Sequence, residues 1–172
     1  MRIAFLLIFA ANILLDLVSY AVLPARVAIH FGLGGTPNGW GPGYVFAILM
    51  VAMHAFVFCM IYFSPRVIFA FPARWVNLPH KEYWLSEENR PRAEAKISSH
   101  MWQFGTAIFA FLLVAGALVL EANLSDPVAL REVPFLVALA IFLVFTAWWV
   151  VSFVRAFRIP AGEAPRGPQA RG

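Results

Sequence analysis

In a chain of 172 residues, 62% hydrophobic and only 13% charged, a water-soluble core could not hide the apolar surface. Soluble domains run at roughly 45–50% apolar and about 25% charged residues. The single cysteine, Cys59, excludes an intrachain disulfide and any cysteine-based metal or redox motif, and the net charge of +4 conceals a very uneven placement of basic residues.

In chain order, a first apolar run covers about 3–23 and is interrupted by Asn12, Asp16 and Ser19. Arg2 ahead of it gives the look of a secretory signal. The run is longer than a usual signal core and contains Asp16, so a retained helix is expected. Further runs cover 44–63, with His54 near the middle, then 101–120 and 135–154. Each is close to the ~20 residues that span ~30 Å of hydrocarbon at 1.5 Å per residue. Backbone in a bilayer must satisfy its own hydrogen bonds, so these runs are expected to be helices. The expected fold class is an all-α membrane protein with four transmembrane helices in one domain over 1–158. The final residues, 159–172, lack apolar periodicity and are expected to form a disordered tail.

Eleven of the thirteen Lys and Arg residues fall at the N-terminus, in the second connection or in the C-terminal tail. The first and third connections carry only Arg26 and Arg131. By the positive-inside rule both termini and the connection 64–100 are expected in the cytoplasm. Segment 24–43 then faces outward as a structured cap. It holds six glycines and three prolines, with turn signals at Gly34-Gly35 and Pro37-Asn38-Gly39, while 26–31 alternates like an extended strand. In the cytoplasmic connection, Arg66, Phe69, Phe71, Arg74 and Trp75 alternate basic and aromatic character, which suits the headgroup layer rather than nucleic acid. The third helix is expected to start before its membrane run, either after Ser86 or at Pro91.

Three groups of residues are candidates for function. Asn12, Asp16 and Ser19 share one helical face by their i, i+4, i+7 spacing. An ionisable group at the bilayer centre costs around 2.5–3.5 kcal/mol on insertion scales, so this face should meet protein or water. Helix rise places Asp16 about 10 Å and His54 about 15 Å below the outer end of neighbouring helices. A polar contact between them is expected, read first as a packing pair and second as a proton or ligand relay. In the cap, His30, Phe31, Gly35, Pro37, Asn38, Gly39 and Trp40 form a candidate ligand or partner surface, with His30 bonded inside the turn system. Zinc needs three or four ligands, and no other His, Cys or acid lies in this loop. Tyr83, Trp84, Glu87 and Arg90 form a candidate cytoplasmic partner face. The His80 and His100 region matches no ligand spacing and reads as a charged, solvated face. No nucleophile-base pair, phosphate loop or paired carboxylates can be assembled on one side of the membrane. No cofactor or metal is expected, and these residues point away from an enzyme.

LPARVAIHF followed by GTPNGWG is similar to the pattern LP-x-x-V-x-x-HF…G-x-P-[DN]-G-W of a bacterial membrane domain of unknown function. The same domain opens the immunity protein against the sporulation-delaying toxin. The matching positions are Leu23, Pro24, Val27, His30, Phe31, Gly35, Pro37, Asn38, Gly39 and Trp40. WVNLPHKEYWLSEENR resembles the cytoplasmic connection of small members of that family, so the resemblance covers roughly 1–120. It implies a multi-helix protein of the bacterial cytoplasmic membrane with no established enzymatic activity, with immunity or signal relay as the known role of one member.

Three functions follow as expectations. The first is a sensor or immunity-type protein that meets a ligand or partner at the 24–43 cap. The second is a structural or accessory subunit of a larger membrane complex, with Trp148 and Trp149 among its contacts. The third is a small transporter or membrane enzyme using Asp16 and His54. The expected partners are the lipid bilayer and another membrane protein or a second copy.

Overall fold

The computed structural model describes residues 1–160. The tail expected over 159–172 therefore lies, from 161 onward, outside the described residues. The chain is a multi-pass membrane protein whose four long helices are all apolar and long enough to cross a bilayer. They are α1 (Arg2–Val22), α2 (Gly43–Ala70), α4 (Arg90–Leu124) and α5 (Glu132–Ala156), with a single turn of helix, α3 (Lys81–Trp84), in the longest connection.

Proline sets several boundaries. Leu23 precedes Pro24 and Phe71 precedes Pro72, and each is extended, as the residue before a proline prefers. These positions end α1 and α2. The helix α2 runs past the expected limit of 63 and continues through Pro65 to Ala70. Pro65 has no N–H to give the Ile61 carbonyl four residues back. The Ser64 hydroxyl donates to that carbonyl instead, at 3.0 Å, which leaves the turn satisfied. Pro91 falls in the first turn of α4, so of the two possible starts the later one is used.

The fold is not wholly helical. Residues 24–43 build an antiparallel hairpin of β1 (Arg26–Phe31) and β2 (Pro37–Pro42). The turn lies at 32–36, where Gly34 and Gly35 adopt φ of 75° and 74°, a region that non-glycine side chains rarely enter. The turn signal at Pro37-Asn38-Gly39 is absorbed into β2. Ala28 pairs with Trp40 and His30 with Gly39, so Ile29 is an extra residue that bulges from β1.

The helices α1, α2 and α4 each pack on the other two, while α5 packs mainly along α4 and meets the end of α2 near Phe69. The result is a three-helix core with one outrigger, rather than a four-helix bundle around a shared centre. Phe5, Ile61 and Phe109 fill the core, with Phe9, Phe58 and Tyr62 stacked around them. Small residues let transmembrane helices approach closely, and Gly105 is the tightest point. A Cβ there would lie 2.6 Å from the Phe5 ring and 2.7 Å from Ile61. Gly105→Ala is expected to lower stability by about 1–3 kcal/mol through overpacking. Gly116→Ala meets only the Leu15 side chain at 3.1 Å and is expected to be milder. Thermal unfolding of both variants in detergent checks the order, and equal midpoints would contradict the packing described.

At the end away from the hairpin, residues 71–89 fold back to bury Phe69, Leu78, Trp84, Ala93, Ile97 and Phe157 together. Side chains here cap two helix C-termini, whose last carbonyls have no partner within their own helix. Arg90 donates to the Phe69 carbonyl of α2 at 2.5 Å, and Lys96 to the Ala156 carbonyl of α5 at 2.9 Å. Cations are favourable at these negative ends of the helix dipole.

Candidate functional site

The hairpin is fastened at several places. Asn123, near the end of α4, accepts from the Ala28 N–H at 2.6 Å and donates back to the Ala28 carbonyl at 3.1 Å. It also donates to the Val119 carbonyl of its own helix. One side-chain amide thus occupies the free edge of β1, where unpaired backbone groups would otherwise be buried. At the turn, the Leu130 N–H donates to the Gly35 carbonyl at 2.8 Å, and the Gly34 N–H donates to the Glu132 carboxylate at 3.2 Å. A Cβ on Gly35 would lie 2.0 Å from the Leu130 carbonyl oxygen, so glycine is required both by space and by φ. The hairpin therefore crosses the end of α4, and its turn rests on the start of α5.

On the exposed surface of the hairpin, His30 Nδ1 and Asn38 Oδ1 form a close hydrogen bond. The Arg26 guanidinium lies 5.5 Å from the centre of the Trp40 ring. Ile29 and Trp40 are also exposed, and Leu33 at the tip is 94% exposed. Phe31 and Pro37 are half-buried, and Gly35 is buried against Leu130. A Cβ on Gly39 would meet His30 Cβ at 2.9 Å, which explains a glycine opposite the histidine.

Below the hairpin, α1 turns Asn12, Asp16 and Ser19 inward, and all three are buried. Asp16 Oδ2 accepts from His54 Nδ1 at 2.7 Å, joining α1 to α2. With a carboxylate as partner, the Nδ1 nitrogen carries the proton. Asn12 donates to the Ile8 carbonyl at 2.8 Å and to the Phe109 carbonyl at 2.9 Å, joining α1 to α4. The His54 ring stands 6.0 Å from that of Phe109. Among the described residues, His54 Nε2 and Asn12 Oδ1 are buried without a hydrogen-bond partner. The polar stripe read from helical spacing is thus a centre that ties three helices together. Among the described residues, no three His, Cys, Asp or Glu side chains stand where they could hold a metal ion.

The four residues expected to form a face on the second connection separate. Trp84 is fully buried, and its indole N–H donates to the Phe157 carbonyl at 2.8 Å. It is a packing anchor and offers no surface to a partner, because 71–85 folds back onto α4 and the end of α5. Tyr83 is half-buried beside it. Arg90 spends its guanidinium on the cap of α2, and Glu87 is exposed.

Asn123 was not legible as a site residue: its partner is a backbone 95 residues away, and no side-chain pattern marks such a contact. Trp149, which donates to the His100 carbonyl at 3.0 Å, is similarly an internal contact between α5 and α4.

No curated protein and no solved structure matches the chain. Residues 7–54, which run from the first turns of α1 through the hairpin to His54, match the family described as a domain of unknown function (DUF1648).

Proposed function

We propose that this chain is a non-enzymatic relay protein of a bacterial cytoplasmic membrane. The hairpin faces outward and meets a ligand or protein partner through His30, Asn38 and Trp40, with Ile29 and Leu33 beside them. Helices α4 and α5 carry its displacement to the cytoplasmic segment 71–97. This is the immunity or signal-relay behaviour implied by the resemblance of LPARVAIHF…GTPNGWG.

The observation that supports the reading is that α4 and α5 are each fastened at both ends. Asn123, Leu130 and Glu132 hold the hairpin. At the other end the Trp84 indole of the segment donates to the Phe157 carbonyl, while Arg90 and Lys96 of α4 hold the last turns of α2 and α5. At 1.5 Å per residue the 35 residues of α4 reach about 52 Å, farther than the ~30 Å hydrocarbon layer. A tilt imposed at one end must therefore appear at the other. The second reading, an accessory subunit, draws on α5, which has no buried residue and leaves Ile141, Val144 and Trp148 open to a neighbour. Recovery of a stoichiometric large complex from mild detergent would favour it over the relay.

Orientation is tested by single cysteines at Asn38→Cys and Lys81→Cys in a Cys59→Ala background. A membrane-impermeant thiol reagent on intact cells is expected to label the first and spare the second. The opposite pattern would place the hairpin in the cytoplasm and remove its role as an outward receiver.

A further inference from the structure

At the end away from the hairpin, the start of α1 and the last turns of α2 bring two arginines onto one aromatic ring. The Arg2 guanidinium carbon lies 5.5 Å from the centre of the Tyr62 ring, and that of Arg66 lies 5.7 Å from the same point. Arg2 also donates to the Tyr62 hydroxyl at 2.7 Å and stands 5.9 Å from the centre of the Trp102 ring of α4. A ring face attracts a cation, but two guanidiniums gathered on one tyrosine repel each other.

The cluster is short of an acceptor. Each guanidinium offers five N–H donors and accepts nothing, and an indole N–H only donates. The Trp102 N–H is buried and, among the described residues, without a hydrogen-bond partner. Of the four side chains only Tyr62 can accept, and Arg2 already donates to it. Among the described residues, neither Arg2 nor Arg66 is ion-paired with a carboxylate. The first turn of α1 holds no acid, and neither do the last turns of α2.

We propose that Arg2 and Arg66, with Tyr62 and Trp102 beside them, bind the phosphate of an anionic phospholipid such as phosphatidylglycerol. A phosphate supplies both the missing charge and the missing acceptor oxygens, and the planar guanidinium fork matches its geometry. Depth favours a lipid over a free anion. Tyrosine and tryptophan settle at headgroup level, and both arginines are exposed there. Ile3, Leu7 and Phe63, in the neighbouring turns on the membrane side, are exposed as well. Acyl chains lie against these residues, whereas a free phosphate has nothing to place on them. Charge favours a net-negative lipid over a zwitterionic one. A choline or ethanolamine headgroup would bring a further cation to a cluster that has no carboxylate to receive it.

The test is native mass spectrometry of the full chain ejected from nanodiscs that hold equal amounts of phosphatidylglycerol and phosphatidylcholine with matched chains. The wild type is expected to retain one phosphatidylglycerol in preference to phosphatidylcholine by about thirtyfold, the factor that two basic residues supply to a net-negative lipid. Arg2→Gln and Arg66→Gln are each expected to reduce the preference to about fivefold, and the double variant to abolish it. Both side chains are exposed, so neither substitution disturbs the core. Arg158→Gln removes the same charge from another exposed position at this end and is expected to leave the preference intact. Millimolar inorganic phosphate is expected to leave the lipid in place. Equal retention of the two lipids by the wild type, or a preference that survives the double variant, would overturn the proposal. So would a preference lost equally in Arg158→Gln, which reports only bulk charge, or displacement by inorganic phosphate, which makes the free anion the occupant.

Discussion

His54→Leu is expected to destabilise the protein by about 3–5 kcal/mol, because it strands the Asp16 carboxylate in a buried site without its donor. Most of this is the penalty of an uncompensated charge. A hydrogen bond inside a membrane protein averages only about 0.6 kcal/mol in double-mutant cycles. The single variant should lower the thermal midpoint in detergent by roughly 6–20 °C. The double variant Asp16→Leu with His54→Leu removes both charge and donor, and should recover most of that loss. If the single variant and the double variant both melt with the wild type, the pair does not hold α1 to α2.

Asn123→Ala carries the second large effect, by a different route. Ala28 is fully buried, and its N–H and carbonyl both use the Asn123 amide. Removing the amide leaves two buried backbone groups without partners, at about 1–3 kcal/mol each. A total loss of about 2–6 kcal/mol is expected, concentrated in the hairpin rather than spread over the core. Asn123→Asp keeps an acceptor for the Ala28 N–H and loses the donor to its carbonyl, so it should fall between wild type and alanine. Thermal melts of the three proteins give the order directly, and an aspartate variant as unstable as alanine would contradict the two-sided clamp.

How far the sequence reveals this depends on the kind of contact. Four long apolar runs are legible because span length and composition act locally, and the four helices stand where those runs are. The meeting of Asp16 and His54 is legible from helix rise, since antiparallel neighbours joined by a compact hairpin bring similar depths together. The strand at 26–31 is legible from alternation, while the position of the turn is not. Gly34-Gly35 and Pro37-Asn38-Gly39 are equally good turn formers, and the contact of Gly35 with Leu130 decides between them. The burial of Trp84 is not legible, because an aromatic near a membrane end serves equally well at an interface or in a small core. Only the return of 71–85 onto α4 places it inside. The passage of α2 through Pro65 rests on one hydroxyl, that of Ser64, filling a hydrogen bond that composition alone would count as lost.

In the relay the hairpin and the segment at the far end move together through α4. Hydrogen–deuterium exchange of full-length wild type and Asn123→Ala in nanodiscs tests it most directly. The relay predicts faster exchange at 26–42 and, in the same variant, at 78–97, with the middle of α2 unchanged. Faster exchange confined to 26–42 would show a hairpin that loosens without any consequence at the other end, and would contradict the account.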